Sequence, residues 1–121
     1  MVKQKKTEYK CPLEATMDII GGKYKGIILG HLINKTLRYS ELQKLISQAT
    51  PKMLIQQLKE LEQDGIINRK LYPVVPPKTE YSLSKRGETL IPIIIELNRW
   101  GINYLKEENI PCAYTREITE P

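Results

Sequence analysis

The chain has 121 residues, enough for one ordinary domain whose modest core would gain from a partner subunit. Nineteen basic against 14 acidic residues leave a net charge of +5, which favours a polyanionic partner. No apolar run approaches the ~20 residues of a membrane span, no apolar segment follows the basic N-terminus as in a signal peptide, and neither metal-ligand clusters nor phosphate-binding glycine loops occur, so a cytoplasmic protein without cofactor or metal is expected.

Residues 1–10 read as a flexible basic arm. A first helix is predicted to begin at Cys11-Pro12, with Leu13, Met17 and Ile20 on its buried side, and to break at Gly21-Gly22. A second helix, from Lys23 to about Asn34, brings Ile27, Ile28, Leu32 and Ile33 inward. Gly26 and Gly30 within it either admit a neighbouring backbone or weaken the helix, at about 1 kcal/mol each against alanine. Leu37-Arg38-Tyr39 suffices only for a strand stub. Ser40 is expected to cap a short helix from Glu41 to Ile46 with Leu42, Leu45 and Ile46 inside, and Ser47-Gln48-Ala49 is a turn.

The next helix is the most informative segment. Thr50 is a good N-cap, Pro51 suits the first helical position, and Gly65 stops the helix after Asp64. Leu54, Leu58 and Leu61 form one apolar stripe, while Lys52, Gln56, Lys59 and Gln63 form an opposite face of long donors without a carboxylate. Alone, this pattern also fits an ordinary solvated helix. Preceded by a short helix and a tight turn, it is the second helix of a helix-turn-helix, with side chains able to bond adenine, guanine or phosphate in a major groove.

Ile66 to Leu71 reads as a strand, Tyr72 to Lys78 as a stiff proline-rich loop, and Thr79 to Leu83 as the returning strand. A helix-turn-helix followed by such a hairpin is a winged helix, here rimmed by Arg69, Lys70 and Lys78. Ser84 is expected to cap a last long helix running to about Glu108, with Pro92 in its first turns. Its apolar residues, among them Ile93, Ile94, Leu97, Trp100 and Tyr104, cover more than one face, and a second subunit would cover what the small domain cannot. The fold class is therefore mostly α with a small β-hairpin, a winged helix-turn-helix over residues 11–108 with N- and C-terminal dimerisation helices and a polar tail at 109–121.

Five motifs in order carry a family resemblance: Cys11-Pro12-Leu13-Glu14; Ile20-Gly21-Gly22-Lys23-Tyr24-Lys25; Arg38-Tyr39-Ser40-Glu41-Leu42; Lys52 to Gly65; and Tyr72-Pro73-Val74-Val75-Pro76-Pro77 leading into Glu80-Tyr81-Ser82-Leu83. Over roughly residues 11–105 the chain resembles the HxlR-type winged-helix transcriptional regulators, relatives of the MarR group. The resemblance implies a homodimer, joined through its first and last helices, on a pseudo-palindromic operator in double-stranded DNA. Base contacts are then expected around Thr50, Pro51 and Lys52 and from Gln56 and Gln57, with Arg38, Ser40, Arg69 and Lys78 on phosphates.

Cys11 sits at a helix N-terminus beside Lys10, where positive charge stabilises a thiolate. It also aligns with the N-terminal cysteine that several such regulators use to sense oxidants or electrophiles. Cys112, on the tail, could resolve an oxidised Cys11 within or between subunits. The plainer alternative is an inert Cys11 and an incidental Cys112. A protein-binding winged helix would want an acidic or apolar face where this one is cationic, and a thiol enzyme using Cys11 with His31 lacks a third residue to orient the imidazole.

Overall fold

The computed structural model describes residues 6–113; the rest of the basic arm and the end of the tail lie outside them. In chain order the elements are α1 (Pro12–Ile20), α2 (Lys25–Leu32), β1 (Leu37–Arg38), α3 (Tyr39–Leu45), α4 (Pro51–Gln63), β2 (Ile67–Tyr72), β3 (Lys78–Leu83), α5 (Lys85–Glu88) and α6 (Ile91–Glu107). This is a winged helix. β2 and β3 form the antiparallel wing, with Ile67 opposite Leu83 and Tyr72 opposite Lys78. The stub β1 adds to the far side of β3, Leu37 against Tyr81 and Arg38 against Glu80, so the sheet order is β1-β3-β2.

The core lies where α2, α3, α4 and the base of the wing meet. Ile28, Leu29, Leu32, Leu42, Ile46, Leu54, Leu58, Leu61, Ile66 and Ile67 are almost wholly withdrawn from solvent. Leu45, expected inside α3, lies instead at its edge and stays exposed. α3 also starts earlier than expected. Its cap is Arg38, whose backbone N–H donates to Glu41 Oε1 at 2.8 Å, and Ser40 falls within the first turn as an exposed side chain rather than a cap.

The last helix is split. Ser84 caps only the single turn α5, its Oγ accepting from the Gly87 N–H at 3.0 Å. α6 then begins afresh at Ile91, which puts Pro92 in the first turn, where a missing N–H leaves no bond unmade. A continuous helix from Ser84 would have placed that ring against a carbonyl one turn back.

Two glycines make opposite predictions. A Cβ on Gly87 would stand 2.1 Å from the Ile66 carbonyl oxygen, so α5 reaches the wing base only because this residue is glycine. Gly26, by contrast, has nothing within 4 Å of a Cβ position; it admits no close neighbour and simply weakens α2. Gly26→Ala is expected to raise stability in urea by about 0.5–1 kcal/mol. Gly87→Ala is expected to lower it, because the clash is with backbone.

Both terminal helices leave apolar surface uncovered. Ile20 alone of the α1 stripe reaches the core, while Leu13, at 67% exposure, and Met17 project outward, contrary to the expectation that they were buried. Ile27 of α2 is likewise exposed. On α6, Ile94 and Ile95 face the core, and Ile93, Leu97, Trp100 and Tyr104 form a separate outward stripe, with the Trp100 and Tyr104 rings stacked 5.4 Å apart. Among the described residues, no helix is long and apolar enough to cross a membrane.

Candidate nucleic-acid interface

α4 is held at both ends by local chemistry. Thr50 Oγ1 accepts from the Met53 N–H at 3.1 Å, and Pro51 occupies the first helical position. At the other end Gly65 takes φ +74°, its N–H bonds the Glu62 carbonyl, and the Ile66 N–H bonds that of Leu61. This is a Schellman stop, and the positive φ is the reason for glycine there. The apolar stripe of Leu54, Leu58 and Leu61 is buried as expected, so the opposite face is turned to solvent.

A second set of bonds fixes how the helix is rotated. The start of α2 is fastened to the flank of α4: the Tyr24 N–H donates to Gln57 Oε1 at 3.0 Å, and Lys25 Nζ lies 2.5 Å from Glu60 Oε1. The Tyr24 hydroxyl donates to the Gln48 carbonyl at 3.1 Å, in the turn before α4. Lys25 and Glu60 are both buried, so this ion pair is largely out of water. Periodicity alone gives a glutamate in an amphipathic helix a solvated place, and a partner 35 positions away in the chain cannot be seen locally.

These bonds redistribute the predicted contacts. Gln57 is occupied inward by Tyr24 and does not project from the outer face. Gln56 is half-buried and donates from Nε2 to Glu60 Oε2 at 3.4 Å. Pro51, Lys52, Ile55, Lys59 and Gln63 are the exposed residues of the helix. Ile55, an aliphatic side chain without a donor, lies among the lysines at helical spacing.

The wing extends this surface. Arg38 and Ser40 are exposed at the start of α3. Arg69 Nε lies 3.5 Å from Glu62 Oε1, tying the base of the wing to the end of α4 and offsetting part of its charge. Lys70 and Lys78 both stand over the Tyr72 ring, 4.8 and 4.6 Å from its centroid, so one aromatic plate positions two cations on the hairpin. Opposite Arg69, Tyr81 is buried enough that its phenol titrates above the ordinary value of 10.0. Among the described residues, no group of three or more His, Cys, Asp or Glu side chains could hold a metal ion.

Comparison with known proteins places this arrangement. The model of a family described as HxlR-like helix-turn-helix matches residues 19–109. The chain belongs to that family. The family is one of transcriptional regulators, not of enzymes. Two relatives from Bacillus subtilis are uncharacterised HTH-type transcriptional regulators: YdeP, 53% identical across 78% of this chain and 73% of its own, and YkvN, 46% identical across 94% and 95%. Among solved structures, the redox regulator HypR in its oxidised form superposes with a TM-score of 0.74 at 47% identity, covering 77% of this chain and 96% of that one.

The two cysteines lie away from the helix-turn-helix in sequence. Cys11 is the exposed N-cap of α1, one residue before Pro12, and Cys112 is exposed just beyond α6. His31 is half-buried in the last turn of α2.

Proposed function

We propose that the protein is a sequence-specific DNA-binding transcriptional regulator, repressor or activator, acting in the cytoplasm as a homodimer on a pseudo-palindromic operator. The observation that carries this reading is a capped helix, fixed in rotation, whose solvent face is cationic and flanked by a lysine-bearing hairpin. α4 enters the major groove by its N-terminal half, with Thr50, Pro51 and Lys52 foremost and Gln56 at the side. Arg38, Ser40, Lys78 and the partly neutralised Arg69 hold phosphates, which sets register without reading sequence.

The outward stripes on α1 and α6 support pairing of two copies, since apolar surface of this continuity marks an interaction site. Two-fold pairing presents two copies of α4 to half-sites about one helical turn, 34–36 Å, apart. Cys11 caps the helix that bears one of these stripes, so an oxidant or electrophile that modifies its thiol would act on subunit packing. The resemblance to a redox regulator supports that input, with Cys112 as the resolving thiol.

Gel shifts with duplexes taken from beside the protein's own coding region test the reading. Lys78→Ala is expected to weaken all sequences alike and to lower the slope of log K against log salt by about 1. Lys52→Ala is expected to lose about 1–3 kcal/mol of discrimination between operator and unrelated duplex. Equal effects of the two on both quantities would contradict this division of labour. Diamide is expected to change operator binding by the wild type and to leave Cys11→Ser unaffected; the same response in both would remove Cys11 from the mechanism.

A further inference from the structure

Ile55 is an apolar side chain in a place where the rest of the chemistry is polar. It is 41% exposed on the solvent face of α4, at helical spacing from Lys52 on one side and Lys59 on the other. Each neighbouring amide is engaged on one side within the protein, Gln57 Oε1 accepting from the Tyr24 N–H and Gln56 Nε2 donating to Glu60. The same bonds, with the buried Lys25–Glu60 pair, prevent the helix from rolling to put Ile55 against the core. Leu54 and Leu58 fill the inner side completely. The branched side chain is therefore held outward, between the exposed Lys52 and Lys59.

In the major groove one base alone offers an apolar group, the 5-methyl of thymine. A branched aliphatic side chain cannot bond any other base edge there, and it leaves unpaired the donors and acceptors that it covers. We propose that Ile55 is a specificity-determining residue that selects a thymine in each half-site by packing on its methyl group. The inference rests on the DNA-binding reading above. It deepens that reading by assigning part of the discrimination to an apolar contact rather than to the glutamines.

The test begins with selection of preferred duplexes from a random-sequence pool by the full-length protein. Each thymine of the selected site is then replaced in turn by deoxyuridine, which removes the methyl and nothing else. Burial of one methyl predicts that replacing the contacted thymine of one half-site weakens wild-type binding roughly four-fold. The same replacement should leave Ile55→Ala unaffected, while the variant keeps the wild-type melting temperature and salt slope because its side chain was at the surface. A selection returning no preferred sequence would overturn both the DNA reading and this inference. A preferred site at which wild type and Ile55→Ala respond alike to every deoxyuridine, or at which wild type responds to none, would overturn this inference alone.

Discussion

Glu60→Ala is expected to destabilise the fold by about 3–5 kcal/mol, because it leaves the Lys25 ammonium buried without its carboxylate. For a domain whose total stability is about 5–15 kcal/mol, that is a fifth of the margin or more. The urea midpoint should fall accordingly, with little change in slope. Lys25→Ala should do comparable damage from the other side. Replacing both together, Lys25→Met with Glu60→Leu, should recover most of the loss, since neither charge then remains to be desolvated. A near-additive double variant would show that each side chain matters through packing and not through the pair. Leu61→Ala offers a calibration: it removes a fully buried side chain from the same helix and should cost about 2–5 kcal/mol through cavity formation alone.

The pair explains why some of the site was legible in the sequence and some was not. α4 could be bounded within a residue because its start and stop are local: Thr50 caps, Pro51 primes, and Gly65 takes a conformation that other residues avoid. The wing was legible for the same reason, since strand alternation and prolines are also read within a few residues. What periodicity cannot give is the identity of a partner far along the chain. Gln57 reads as a base contact, and Glu60 as a solvated member of an amphipathic helix, until Tyr24 and Lys25 are brought beside them. The apolar stripe Leu13-Met17-Ile20 was correctly seen as a stripe, yet apolar spacing does not say what covers it, and only Ile20 meets this chain's own core. Ile55 was not legible as a contact because a pattern of donors on a helix face assigns no role to an aliphatic side chain among them.

Trp100→Ala is expected to be the most damaging surface change for assembly. Trp100 is the chain's single tryptophan, 69% exposed, and it stacks on Tyr104 in line with Ile93 and Leu97. A large aromatic centred in such a stripe is the usual energetic anchor of an interface, and truncating one costs about 2–4 kcal/mol. Dimer dissociation should therefore strengthen roughly 30- to 1,000-fold, read by sedimentation at micromolar concentrations. Since Trp100 touches solvent rather than the core, the monomer's urea unfolding should change little. Operator affinity should fall much more than affinity for a single half-site, because a half-site needs only one copy of α4. The wild type supplies its own control: with one indole in the chain, its emission should shift to the blue as concentration rises and the ring leaves water. Emission that stays red at every concentration, with Trp100→Ala sedimenting as wild type does, would place subunit contact elsewhere. In that case the stripe of Leu13 and Met17 on α1 would have to carry the contact.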